Sequence, residues 1–167
     1  MKLFSAHIED LRTLYISNLE KALDMERKIT DALPKMIEKA TDPDLANAFS
    51  THLNETRGHV TKVEALLEKA TGEASTETCK VINGLTTEAS DTIKDVTATD
   101  VRDVALIAAA QQVEHHEIAV YGTLRTWANI LGETADVNVL NSILDEEENA
   151  DELLTEISVR VNVQAAA

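Results

Sequence analysis

Four glutamates stand where a helical chain would ordinarily place leucine: Glu26, Glu55, Glu114 and Glu147. Each interrupts an apolar stripe of helical spacing near its middle. A glutamate is almost never fully buried unless paired. A lone buried carboxylate must protonate or bear a heavy desolvation cost, and four converging ones would repel each other strongly. A pair of divalent cations removes that conflict by supplying the missing positive charge.

More groups of ligand type lie beside them. His52 and His59 sit three residues before and four after Glu55, on the same helix face. Glu114 and Glu117 are one turn apart with His115 and His116 between them, and Glu147 and Asp151 are also one turn apart. Di-iron and di-manganese carboxylate bundles use one Glu from each of two helices and Glu-x-x-His from each of the other two. This chain has no forward Glu-x-x-His. It has His-x-x-Glu at 52–55, Glu-x-x-x-His at 55–59 and Glu-x-x-Glu at 114–117. Ligation rich in oxygen and poor in nitrogen favours iron or manganese over copper or zinc.

Blander readings stand beside each feature. A single mid-stripe Glu is usually a boundary residue reaching solvent, but four at matched depth on four helices are hard to obtain that way. Glu146-Glu147-Glu148 alone reads as a solvated acidic face; only Ile143, Ala150 and Leu154 select Glu147 as inward. His115 and His116 cannot both face a core. His7 has no partner pattern, Tyr121 reads as core packing, and Trp127 and Cys79 read as structural.

The elements that would position these groups are four long helices. The first covers about residues 5–40, with Tyr15, Leu19, Ala22, Glu26, Ile29, Leu33 and Met36 in its stripe and Pro34 bending its end. Asp42-Pro43-Asp44 reads as a turn and cap. The second covers about 44–70, with Leu45, Ala48, His52, Glu55, His59, Val63 and Leu66, and ends at Gly72. The third starts after a Thr99-Asp100 cap and carries Val104, Ile107, Gln111, Glu114, Ile118, Tyr121, Leu124 and Ala128 to Gly132. The fourth covers about 136–161, leaving 164–167 as a frayed tail. Residues 73–98 are rich in Thr, Ser and acids, and are expected to hold one or two short helices. They are long enough to cross the length of a bundle. The expected fold is therefore all-α: a single four-helix bundle domain over 1–167, with a long crossover between helices two and three, the mark of ferritin-like topology.

Composition excludes other classes. The 167 residues carry 30 acidic and 15 basic side chains, a net charge of −15. Such a chain repels nucleic-acid phosphates and anionic membranes. Aromatic residues make up 3%, with 5 Gly and 2 Pro, too few for a β-sandwich or barrel. The one cysteine, Cys79, forms no internal disulfide and no Cys-rich zinc site. The start, MKLFSAHIED, does not read as a signal peptide, and no apolar run approaches a membrane span. A cytoplasmic location is expected.

HLNETRGH at 52–59, ALPKM at 32–36, DVALIAAAQQVEHHEIAVYGTL at 103–124 and LDEEENAD at 144–151 resemble the YciE/YciF family of ferritin-like bacterial proteins. The resemblance covers about residues 8–160. It implies a helical bundle related to rubrerythrin-type folds, often dimeric and linked to stress responses. Glu26 takes the place of the Glu in the family's Ala-Glu-Lys-Gln string. His52, Glu55 and Thr56 match His-Leu-x-Glu-Thr; Glu114, His115 and Glu117 match Glu-His-Tyr-Glu-Ile-Ala; Glu146, Glu147 and Asp151 match the acidic string of the last helix. His59 falls where the family usually has Gln, and would add a nitrogen ligand; His116 falls where it usually has Tyr.

Two functions are expected from these residues. One is a dinuclear iron or manganese protein reducing oxygen or peroxide, or handling iron under stress. Its ligands would be Glu26, Glu55, Glu114 and Glu147, two bridging and two capping, with His52, Glu117 and Asp151 as further ligands or supports. The other is a non-enzymatic stress or scaffold protein, a helical homodimer whose metal-free core carboxylates are hydrogen-bonded or protonated. A ferritin-type storage cage is disfavoured, because no clear assembly surface is visible.

Overall fold

A computed structural model describes residues 8–167. His7 and the first residues of the expected first helix lie outside them. Among the described residues there are five α-helices and no strand: α1 (Leu11–Lys39), α2 (Pro43–Thr71), α3 (Lys80–Asp95), α4 (Thr99–Ile130) and α5 (Thr134–Ala165). None is long and apolar enough to cross a membrane.

Local chemistry sets the start of α1 and both ends of α2. Asp10 caps α1 by accepting from the Thr13 amide at 2.7 Å. Asp42 caps α2 by accepting from the amides of Asp44 and Leu45, and Pro43 occupies the first turn, where no amide donor is needed. Gly72 (φ 84°) closes α2 in the left-handed region that disfavours other residues. Thr99-Asp100 is not the cap of α4. Both residues lie in its first turn, after Ala98, which offers no side-chain cap. The connection between α2 and α4 holds one helix of 16 residues, about 24 Å long at 1.5 Å per residue. At the other end of the chain, α5 runs through Gln164 and Ala165 into the expected tail. Ala and Gln are strong helix formers, so nothing local stops it earlier.

Two buried aspartates tie the helix ends together. Asp103 on α4 accepts from the Thr41 amide (2.9 Å), the Thr41 hydroxyl (2.6 Å) and the Asp42 amide (2.8 Å) in the α1–α2 turn. Asp136 on α5 accepts from Tyr15 near the start of α1 (3.1 Å) and from Lys69 near the end of α2 (2.6 Å). Arg160 near the end of α5 binds Asp42 and Asp44 at the start of α2. These ties make α2 antiparallel to α5, and start α2 and α4 at the same end of the molecule. The chain must return the whole length between them, which residues 72–98 do.

The apolar stripes meet in one connected core built from Leu19, Leu23, Leu45, Val63, Tyr121 and Leu140 among others. The α1 stripe is buried throughout, from Tyr15 to Met36. On α4, Val104, Gln111 and Ile118 are only half-buried, and Asp103, Ala110 and Glu117 occupy the inward positions instead.

Removing the Asp103 carboxylate leaves two amides and a hydroxyl without their acceptor. Asp103→Ala is expected to destabilise the protein by about 2–4 kcal/mol, measured by urea unfolding. An effect below about 0.5 kcal/mol, the scale of ordinary surface changes, would show that the tie contributes little.

Candidate metal centre

Helix periodicity brings six buried side chains into neighbouring positions in the core. Two groups form, each with ligand-type atoms lying within 4.8 Å of one another. His52, Glu114, Glu117 and Glu147 make the first; Glu26, His59 and Glu147 make the second. Glu147 belongs to both. Glu26, His59, Glu117 and Glu147 have no exposed surface at all.

These side chains largely fail to satisfy one another. Among the described residues, ten buried side-chain polar atoms lack a hydrogen-bond partner, and nine of them belong to these six residues. They include both nitrogens of His52 and both oxygens of Glu117 and of Glu147. His52 Nε2 lies 3.4 Å from Glu114 Oε1, and His59 Nδ1 lies 3.0 Å from Glu147 Oε1 and 3.6 Å from Glu26 Oε2. Buried polar groups in native proteins are normally paired. A cluster of unpaired acceptors aimed inward is the arrangement that cations satisfy.

The surrounding bonds orient the cluster. Tyr121 donates its hydroxyl hydrogen to Glu26. His59 Nε2 bonds Glu146 Oε2 at 2.7 Å, and Lys62 bonds the other Glu146 oxygen at 3.0 Å. When His59 is neutral and its Nε2–H donates to Glu146, the Nδ1 lone pair would face Glu147 and Glu26. A carboxylate behind a histidine is the usual device for fixing which ring nitrogen a metal would meet.

Protonation follows the same geometry. Burial pushes the Glu114 carboxyl up to about 8, with the Glu147 charge adding to it against the opposing pull of His52. Burial and the neighbouring carboxylates hold Glu117 well above the usual carboxylate range. Burial also raises Glu26, although His59 and Tyr121 counteract it. Burial alone would discharge the two histidines. The carboxylates overcome it, raising His52 to about 9 through Glu55, Glu114, Glu147 and Glu26, and His59 to about 10 through Glu147 and Glu26. Without a cation, the cluster reaches tolerable charge by keeping protons.

Five of the seven residues expected as ligands or supports converge: Glu26, His52, Glu114, Glu117 and Glu147. Glu55 does not join either group. Its side chain is 36% exposed, and its carboxylate lies 3.8 Å from His52 Nδ1 at the rim. Thr56 takes the inward position between His52 and His59 and is fully buried. The two positions lie about 50° to either side of the His52–His59 line, so spacing alone does not choose between them. Asp151 also stands apart, 3.4 Å from Gln111 Nε2 and 3.8 Å from the exposed His115. Half-buried His116 lies 3.7 Å from the Cys79 sulfur. His59 enters the cluster, as its departure from the family pattern suggested. The Tyr121 bond to Glu26 went unread, although Tyr121 lies four residues after Glu117 on the same helical face.

The fold and this cluster define a class: an all-helical protein whose core carries a buried histidine–carboxylate group able to hold metal. The chain belongs to the family described as Domain of unknown function (DUF892), which matches residues 10–167. It is 35% identical to protein YciF of Escherichia coli over 161 residues, covering 95% of this chain and 97% of that one. Its fold matches that of the E. coli stress protein YciF with a TM-score of 0.88 at 34% identity, covering 92% of this chain and 98% of YciF. YcfI of Rhodopseudomonas palustris, provisionally described as a structural protein, matches with the same TM-score at 38% identity and the same coverage. A protein of Xanthomonas campestris shares the fold alone, at 22% identity and a TM-score of 0.74, covering 92% of this chain and 94% of that one.

The metal-free protein should lose stability as pH rises. An unfolded Glu releases its proton near its ordinary value of 4.5, whereas folded Glu114 holds it to about 8. Folded His52 and His59 keep protons to about 9 and 10 against an ordinary 6.5. In each case the folded state binds more protons, so stability falls with pH across this window. Thermal unfolding with chelator present should give a Tm at least about 5 °C lower at pH 8.5 than at pH 5.5, a change of about 2 kcal/mol. Glu114→Gln with Glu117→Gln should flatten that fall. An equal slope in wild type and variant would overturn the assignment.

Proposed function

We propose that this chain is a single ferritin-like helical domain holding two divalent iron or manganese ions, and that it serves in oxidative or general stress by reducing oxygen or peroxide or by handling iron. The observation that carries this reading is the set of nine unpaired buried atoms, gathered into two groups that share Glu147.

Charge supports the number of ions. Four carboxylates and two neutral imidazoles carry four negative charges when deprotonated, and two divalent cations close that balance. His52, Glu114, Glu117 and Glu147 would hold one ion; Glu26, His59 and Glu147 would hold the other. Bound iron would supply redox and oxygen-binding chemistry in surroundings that exclude bulk water. The protein's own part is to place the ligands, with Glu146 fixing His59 and Tyr121 fixing Glu26. The return of the chain along 72–98 supports the ferritin-like topology. A stress role is carried over from YciF. A homodimer in the cytoplasm is proposed from the family resemblance, and Val159 and Val163 on the outer face of α5 offer exposed apolar surface for it.

A second reading, a metal-free scaffold, draws on the structural description of YcfI. In it, Glu114 and Glu117 stay protonated and His52 and His59 stay charged. The two readings differ in what metal does.

Anaerobic Fe(II) titration of protein purified without chelator should saturate at about two ions per chain, as two-metal carboxylate bundles do. Glu147→Gln should disturb both sites at once. Binding at pH 7 should release protons, because the ions displace those held by His52, His59 and Glu114. Apparent affinity should therefore rise with pH. Absence of saturable uptake, with Gln variants as stable as wild type or more so, would leave the scaffold reading standing.

A further inference from the structure

One cavity reaches the cluster from outside, and its walls are chemically one-sided. It has a volume of about 330 Å³ and lies between α1, α3 and α4. Ile29 and Met36 line it from α1, Ala89 and Ile93 from α3, and Ala110 and Val113 from α4. Its floor is polar: His52 and Glu114 reach it, and both nitrogens of His52 and one oxygen of Glu114 have no hydrogen-bond partner. Both residues are more than nine-tenths buried. The lining also carries charge, in Lys28, Asp31 and Lys35 of α1, the last in an exposed contact of 3.4 Å with Ser90 of α3.

A second cavity of about 90 Å³ meets His52 and Glu114 from the α2–α5 side, and Glu55 and Glu146 lie in its wall. It suits a small ion or a few waters. The larger cavity is poorly suited to either, because long apolar walls give water and ions few partners. Its size falls in the lower range of small-molecule sites.

We propose that the α1–α3–α4 cavity binds a neutral, mainly hydrocarbon molecule with one oxygen-bearing end, its chain along the apolar walls and its oxygen at His52 and Glu114. At roughly 30 Å³ for each, the space takes about ten non-hydrogen atoms. A charged end group would lose its hydration at the floor, which is nearly closed to water. Along the apolar stretch formed by Ile29, Met36, Ala89, Ile93, Ala110 and Val113, a charged group would lose its hydration without a partner. The inference rests on the metal-centre reading only for what the oxygen end would meet; the cavity and its floor are the same without ions. The site so defined selects organic molecules, such as an alkyl hydroperoxide or an alcohol, over hydrogen peroxide.

The test uses 1-octanol as probe and the full chain. Calorimetric titration of the metal-free protein should show saturable binding, with octanoate about tenfold weaker or more. Ala110→Leu and Ala89→Leu fill the cavity from two different helices, and each should weaken octanol binding about tenfold. Ala150→Leu, in the wall of the smaller cavity, should leave it unchanged. Circular dichroism checks that each variant is folded, and Fe(II) stoichiometry should be the same in all three. In Mn(II)-loaded protein, the first methylene of octanol should be broadened more than its terminal methyl in proton NMR. Absence of saturable binding, equal binding of octanoate, or insensitivity to both filling variants would overturn the proposal. Failure to take up metal, with octanol binding intact, would instead overturn the metal-centre reading alone.

Discussion

Four carboxylates and two imidazoles occupy a volume from which water is excluded, and their net charge must be brought near zero there. Everything near the centre of the molecule answers to that requirement. Without cations, protons answer it: Glu114 and Glu117 keep theirs far above the ordinary range, while His52 and His59 become charged. With two divalent cations the same groups would balance fully deprotonated. Hydrophobic replacement of such a cluster would be the cheaper way to build a core.

The helix ends serve this centre. An axial slip of one residue moves a ligand by about 1.5 Å and turns it about a third of the way round the helix. Asp103 joins α4 to the α1–α2 turn, and Asp136 joins α5 to both α1 and α2. These ties, made at opposite ends, hold four helices in axial register. Glu26, His52, Glu114 and Glu147 then meet at one depth, although no two of them are close in sequence.

Much of this was legible from residue types and spacing. The stripes mark four helices, Gly72 and the Asp42-Pro43 pair mark ends of α2, and the carboxylates at the middle of three stripes, Glu26, Glu114 and Glu147, lie in the buried cluster. On α2, Glu55 and Thr56 lie about 50° to either side of the His52–His59 line, and only the packed partners decide which faces inward. Asp151 was misread for a related reason: one turn beyond Glu147, the face of α5 has already swung toward Gln111 and His115. The bonds from Glu146 to His59 and from Tyr121 to Glu26 join helices distant in the chain, and no local pattern encodes such pairings. Likewise, the roles of Asp103 and Asp136 depend on turns brought to them by the rest of the fold.

The six core groups are divided between two helical hairpins. The α1–α2 hairpin brings Glu26, His52 and His59; the α4–α5 hairpin brings Glu114, Glu117 and Glu147. Each hairpin forms from neighbouring segments, whereas their union must close the long 72–98 connection. The cluster therefore lies on a seam, with both imidazoles on one side and three of the four carboxylates on the other. The core thus joins two half-molecules, and ions bound across the seam would act as a reversible cross-link between them.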